Sequence, residues 1–376
     1  MPLRVLVAPD KFKGTLTARD AAEAMARGWR RARPQDSLKL LPISDGGDGF
    51  GEVMGELLGA TARHVETLDA AHRPCKVTWW WSAKTKTAVI ESARIVGLAM
   101  LPKGKFHPFH LDTFGLGALL RATQRHGPKE IIIGIGGSAT NDAGFGLARA
   151  LGWEFFDKAG DSIESWTSLN LLADICQPKQ TMSARIIVAV DVRNPLLGVR
   201  GASRVYGPQK GLRPDDFATA EQSLRRLATV LKRQHGLDFA RAPGAGAAGG
   251  LGFGLMAFVG AKFQAGFDLV AAHSALERRL RKADLVVTGE GAIDRTTAMG
   301  KGCGEIARRC RARRIPCIGL GGRVIQSPPI KKMFTQVGSL TDLAEPAEAM
   351  RQPAFWLSRL AEKTAANLVC KPPPRR

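Results

Sequence analysis

Ser138, Thr140, Asn141 and Asp142 put two hydroxyls, an amide and a carboxylate within five positions, directly after Gly134, Gly136 and Gly137. Phosphate chemistry uses that mixture: backbone N–H groups hold anionic oxygens, hydroxyls add donors, and a carboxylate binds Mg²⁺ or takes a proton. The same residues also suit a plain helix cap. Four other stretches repeat the pattern. Asp10 stands with Lys11 and Lys13. Asp45 and Asp48 bracket paired glycines in SDGGDG at 44–49. Asp191 precedes Asn194, Arg200 and Lys210, and Glu290 and Asp294 precede Lys301. Carboxylates, lysines and glycines meeting repeatedly at the ends of apolar runs are an arrangement for meeting a charged, phosphate-bearing ligand.

The elements that must position these groups are strands followed by helices. Ile131 to Ile133 form a continuous β-branched run suited to a strand buried on both faces. Arg4 to Ala8, Ser37 to Ile43, Ile186 to Val190 and Asp284 to Thr288 read the same way, each opening into one of the polar turns. That is the grammar of an open α/β sheet gathering a site along its carboxyl edge. Cys317 to Leu320 and Gln336 to Leu340 supply further strands. Lys76 to Trp81 and Thr87 to Ser92 read instead as antiparallel strands, the sign of a second lobe. Trp79, Trp80 and Trp81 are consecutive, so one ring must face away from its neighbours, toward an edge, a lobe interface or a partner. Residues 198–211 read as a long binding loop. The small-residue run GAGAAGGLG at 244–252 suits either close backbone packing or nucleotide contact.

The expected architecture is α/β and two-lobed: a Rossmann-like, mainly parallel sheet with a second inserted α/β domain. Residues 1–66 with about 104–185 and 285–376 form the first, and about 67–103 with 186–284 the second. The glycine-rich central strand is expected in the sheet built from the chain ends.

Composition excludes several classes. The charged fraction of 24% and hydrophobic fraction of 44% are those of a soluble globular chain. No run of about 18 apolar residues is present to span a membrane, and the N-terminus lacks the apolar stretch of a secretory signal, so a cytoplasmic location is expected. The six cysteines show no CxxC pair and are expected reduced. Cys303, Cys310 and Cys317 recur every seven residues with no histidine near. Fifty-five Lys and Arg against 34 Asp and Glu give a net charge of +21. The basic runs fall on helical faces, and no nucleic-acid module accompanies them, so nucleic acid is not the expected partner.

Seven stretches together resemble the type I glycerate kinase family: APDKFKGTLTA at 8–18, SDGGDG at 44–49, ESARIVGL at 91–98, GIGGSATNDAG at 134–144, DVRNPLLGVRGASRVYGPQKG at 191–211, GAGAAGGLG at 244–252 and TGEGAID with GK at 288–301. The resemblance implies transfer of the γ-phosphoryl group of ATP to D-glycerate with Mg²⁺, at the 2-hydroxyl, giving 2-phosphoglycerate. It places Asp191 as base or orienter of the glycerate hydroxyl. Asp45 and Asp294 become Mg²⁺ ligands, and Lys13 and Lys210 meet phosphate or carboxylate oxygens. Asp10, Lys11, Ser138, Thr140, Asn141, Asp142, Asn194, Arg200, Glu290 and Lys301 complete a site expected where the lobes meet. A homodimer is left open.

The chain departs from the family pattern at Asp48, where the family has Glu, and at Phe50, where it has Thr. Ala118 stands for a common Glu, Ala143 for Gly, Thr296-Thr297 for Gln-Thr or Gln-Ser, and Cys303 for Pro. Two other readings follow from these departures and the basic surface: a kinase-derived binding or regulatory protein, and a kinase for a related hydroxy acid.

Overall fold

The computed structural model describes residues 1–298 and 302–368. Among them run thirteen strands: β1 (Arg4–Val7), β2 (Ser37–Leu40), β3 (Thr61–Leu68), β4 (Pro74–Ser82), β5 (Thr87–Glu91), β6 (Glu130–Gly134), β7 (Glu154–Phe156), β8 (Asp174–Cys176), β9 (Arg185–Ala189), β10 (Lys262–Gln264), β11 (Leu285–Ile293), β12 (Cys317–Val324) and β13 (Gln336–Ser339). The chain divides into two compact units, Met1–Asp45 with Phe267–Arg376, and Gly46–Gly266.

The first unit is built on a wholly parallel five-stranded sheet in the order β13-β12-β11-β1-β2. Val5, Leu6 and Val7 are buried because both faces of such a sheet are covered. Helix Ala18–Ala32 starts where the Thr17 hydroxyl accepts from the Asp20 N–H, and its alanines and Trp29 face the core. Helix Pro353–Ala366 lies so close that a Cβ at Gly28 would come within 1.9 Å of the Ser358 carbonyl oxygen. Leu357, Leu360 and Ala361 join Val5, Val7, Met25 and Leu320 in one core.

The second unit carries a six-stranded sheet in the order β10-β9-β6-β5-β4-β3 and a small antiparallel pair, β7-β8. β5, β6, β9 and β10 run parallel, while β3, β4 and β5 form an antiparallel meander. Ile131, Ile132 and Ile133 are fully buried.

Here the architecture departs from expectation. The glycine-rich central strand β6 pairs with β5 and β9, so it belongs to the second sheet and not to the one built from the chain ends. Residues 104–185 accordingly fall with 46–266, and the stretch from Phe267 falls with the first unit. A strand apolar on both faces fits any interior place in a parallel sheet, so its own pattern does not name its neighbours. The segment read as a long loop contains helix Ala202–Lys210, with Pro208 inside and Gly211 ending it at φ 109°. Pro208 and the glycines of this stretch read as loop residues, yet the helix tolerates the proline. Its missing N–H affects only the last turn of a short helix.

The three tryptophans are absorbed within the second unit. Trp79 and Trp81 share the face of β4 that meets His126, with ring centroids 5.1 and 5.9 Å away. Trp80 faces the other way, over Gly51 and Gly55 of helix Phe50–Leu57, with the Arg94 guanidinium 5.1 Å from its ring. No helix among the described residues is long and apolar enough to cross a membrane. The basic tail at 371–376 lies outside the described residues.

Candidate active site

In the first unit, the carboxyl ends of β1, β2 and β11 bring Asp10, Lys11, Asp45 and Glu290 together. β1 runs on past Val7, held by the bond from the Asp10 N–H to the Gly289 carbonyl at 2.8 Å. The Asp10 carboxylate is buried and accepts from the Lys11 N–H at 2.7 Å. Burial pushes its pKa up to about 7, with Asp45 adding to the rise, Lys11 opposing it and Glu290 contributing further. The Lys11 Nζ stands 4.0 Å from Asp45 Oδ1. The Thr297 hydroxyl donates to Glu290 Oε1 at 2.7 Å.

Glycine is required at 302. A Cβ there would come 2.5 Å from Asp10 Oδ2, so helix Gly302–Ala312 begins directly against that carboxylate. Cys303 is buried, its thiol donating to the Gly289 carbonyl at 2.9 Å, where the family pattern has proline. Cys310 and Cys317 are likewise buried free thiols.

Asp294 has its own partners. Its Oδ1 accepts from both the N–H and hydroxyl of Thr296, at 2.8 and 2.7 Å, and these bonds hold its pKa below the ordinary carboxylate value. Lys13 is exposed. Lys301 lies outside the described residues.

Asp45 and Glu290 both raise the cost of a charge on Asp10, a setting that a hard divalent cation relieves. Among the described residues no three His, Cys, Asp or Glu side chains form a ready-made metal cage. Mg²⁺ does not need one, since it is commonly held by one or two carboxylates completed by water and substrate phosphate. The donor set fits.

In the second unit, the turn after β6 is braced from several sides. The Ser138 hydroxyl lies 3.1 Å from that of Thr140 and donates to the Ala248 carbonyl at 3.1 Å. The Asn141 amide donates to the Ser203 hydroxyl at 2.9 Å, while its Oδ1 is buried with no partner among the described residues. Asp142, expected to face a ligand, is fully buried. Its Oδ2 accepts from the N–H and hydroxyl of Thr113 and from the Gly146 N–H, and its Oδ1 from the Gly144 N–H. Burial and Asp112 together push its pKa up to about 6. It is an internal brace.

Lys210, expected to meet phosphate or carboxylate, also points inward. Its Nζ donates to the Thr140 carbonyl at 2.6 Å, and burial lowers its pKa to about 7. The GAGAAGGLG run wraps the same turn. A Cβ at Gly249, whose φ is +72°, would stand 1.9 Å from the Thr140 carbonyl and 2.8 Å from the Lys210 Nζ. A Cβ at Gly254 would meet the Ala143 carbonyl at 2.5 Å. Of the two readings of this run, close backbone packing is the one these contacts display.

Asp191 follows β9, is exposed, and accepts from the Gly266 N–H at 3.1 Å. Asn194 donates to the Arg200 carbonyl and accepts from the Tyr206 hydroxyl, both at 2.8 Å, so it ties the segment before helix Ala202–Lys210 to that helix. The Arg200 side chain is exposed.

Two features were not read as site residues. Glu91, buried at the end of β5, accepts from the Gly49 N–H at 2.9 Å and the Gly51 N–H at 3.0 Å, fixing the turn that leads into helix Phe50–Leu57. A lone carboxylate after an apolar strand was the available signal. Phe50 is fully buried against Gly134, where a Cβ would come 2.6 Å from its ring, and so closes the end of β6. Ala143 holds φ +51°, the left-handed region that explains the glycine of the family pattern.

The description of the family model that matches residues 5–369 is "Glycerate kinase family". A glycerate kinase of Halalkalibacterium halodurans is 37% identical over 371 residues, covering 96% of this chain and 97% of that protein. A glycerate 2-kinase of Escherichia coli K12 is 35% identical over 377 residues, covering 97% and 98%. A crystal structure of a Salmonella typhimurium LT2 protein assigned as glycerate kinase 2 superposes with a TM-score of 0.84 at 34% identity, over 97% of this chain and 98% of the other.

Proposed function

Because the chain belongs to the glycerate kinase family, we propose that it transfers the γ-phosphoryl group of ATP to the 2-hydroxyl of D-glycerate, giving 2-phosphoglycerate and ADP. The observation that carries this reading is the match over residues 5–369, which takes in every polar turn described above. The 2-position follows the name of the Escherichia coli relative.

In this reaction the glycerate hydroxyl oxygen forms a bond to the γ-phosphorus as the bond to the β,γ-bridging oxygen breaks, and the hydroxyl proton must leave. Asp191, an exposed carboxylate, takes that proton or orients the hydroxyl. Asp45, beside Asp10 and Glu290, is the carboxylate proposed for Mg²⁺, and Asp294 has only its second oxygen to add, its first being engaged by Thr296. Mg²⁺ bound there would neutralise phosphate charge. Lys11 and Lys13 stand on the same turn for phosphate oxygens, and Arg200 is an exposed guanidinium suited to the glycerate carboxylate. Ser138, Thr140 and Asn141 supply the polar lining after β6, with Lys210 and Asp142 holding that turn in shape.

The test is ATP-dependent phosphorylation of D-glycerate with Mg²⁺, the product read by phosphorus NMR. The parent protein forms 2-phosphoglycerate. Asp191→Asn lowers kcat by about 100-fold or more, the scale of a lost general base, with an unchanged melting temperature because the side chain is exposed. Turnover by the variant at the parent rate removes Asp191 from this role.

A further inference from the structure

The first unit has a second charged recess, at the opposite end of its sheet from the carboxylate cluster. A cavity of about 380 Å³ opens where β1 and β2 begin and where the helix Leu276–Lys282 leads into β11. Among the described residues five cationic side chains line it, Arg4, Lys39, Arg278, Arg279 and Lys282, with the Asp284 carboxylate held against the first. Arg4 is neutralised by Asp284, which takes its Nε at 3.0 Å and its Nη2 at 2.7 Å. Arg279 uses its Nε on the Ser274 carbonyl, leaving its terminal nitrogens. Lys39, Arg278 and Lys282 have no side-chain hydrogen bond or ion pair among the described residues, so four positive charges converge on the cavity uncompensated.

Lys39, Arg278 and Lys282 are exposed and Arg279 is half-buried, so the charges remain open to a ligand from solvent. On helix Gly302–Ala312, by contrast, Arg308 and Arg309 pair with Glu305, and Arg309 also with Asp268 and Glu277. The cationic residues here come from β1, β2 and the helix before β11, far apart in sequence and converging on one concavity. Like charges brought together in a recess raise the local potential and hold a multiply charged anion more strongly than scattered ones. The volume lies at the small end of the range for ligand sites.

We propose that this recess binds a compact anion carrying two or more linked phosphate groups, at a site separate from the one that performs phosphoryl transfer. β1 lies between the two, and its four residues alone separate them by roughly 10 Å. A single carboxylate or monophosphate would leave most of the cationic groups unpaired, whereas a linked phosphate chain meets several at once with guanidinium and ammonium donors.

Isothermal titration of the full-length protein with inorganic tripolyphosphate tests this, comparing the parent with Lys39→Glu/Arg278→Glu. The charge-reversed protein should bind at least ~10-fold more weakly at this site, with affinity falling as salt rises. Its kcat and KM for ATP and glycerate should stay at parent values, because neither side chain belongs to the transfer site. Lys39→Arg/Arg278→Lys should bind as the parent does. Equal tripolyphosphate affinity in the parent and reversed proteins overturns the proposal. So does a parallel rise in KM for ATP, which would place the effect at the transfer site, and so does weakened binding of a single-stranded oligonucleotide with tripolyphosphate binding intact.

Discussion

Lys210 shows how far a residue's type can mislead about its task. A lysine after a loop rich in Gly, Arg and Asn reads as a phosphate ligand, yet its Nζ closes on the Thr140 carbonyl inside the fold. No sequence pattern distinguishes an ammonium aimed at a ligand from one aimed at a carbonyl, because the difference is set by the packing of Gly249 against both. The burial has a measurable sign. Below about pH 7 the lysine is charged in the folded and unfolded chain alike, and the folded state bears the full cost of burying the charge. Above about 7 the folded protein sheds the proton while the unfolded chain keeps it up to its ordinary value near 10.5, so stability rises with pH across that window. The stability of the parent relative to Lys210→Met should therefore increase between pH 7 and 10, by an amount on the order of 4 kcal/mol. Chemical denaturation of both proteins across that range measures it, and a flat difference refutes the burial argument. Asp142 likewise lies inside the fold, while Asp10, Asp45 and Glu290 gather at one sheet edge, a placement that strand-end carboxylates suggest from sequence without assigning their roles.

Among the elements, strands β1, β2, β6, β9, β11 and β12 were visible from their apolar runs, and the β4-β5 hairpin from its alternation and polar turn. What did not show was assignment to a sheet. β6 reads the same whether it sits between β1 and β11 or between β5 and β9, since parallel pairing uses backbone and both faces are apolar. Helix contacts were hidden for a related reason: glycine announces closeness without naming the partner. Gly28 is one such case. Helix Ala18–Ala32 approaches helix Pro353–Ala366 only because position 28 has no side chain. Gly28→Ala forces the Ser358 carbonyl aside or the helices apart, a cost of about 1–3 kcal/mol for an overpacked core. The gain in helix propensity, about 1 kcal/mol, is too small to offset the upper part of that range. A calorimetric scan should show a lowered melting temperature for the variant; an unchanged or raised one would mean that the two helices yield freely.

At the scale of the whole molecule, each unit has its own core, and the first depends on both chain ends. Helix Pro353–Ala366 supplies Leu357, Leu360, Ala361 and Ala365 to the core shared by β1, β11 and β12. Ending the chain after Gln352 should therefore unfold Met1–Asp45 and the stretch from Phe267, while Gly46–Gly266 keeps its structure. Hydrogen exchange resolved by peptide separates the outcomes: fast exchange confined to the first unit is expected, and uniform loss across all residues would show that the two cores stand or fall together. The sheet order also sets a timetable. β1 lies between β2 and β11, but about 240 residues separate β2 from β11 along the chain. At roughly 5–20 residues per second of synthesis, the first strand waits on the order of 10 to 50 s for its second neighbour. Through that interval Val5, Leu6 and Val7 present an open, apolar strand edge, so the hazard to this protein is greatest while the ribosome is still making it.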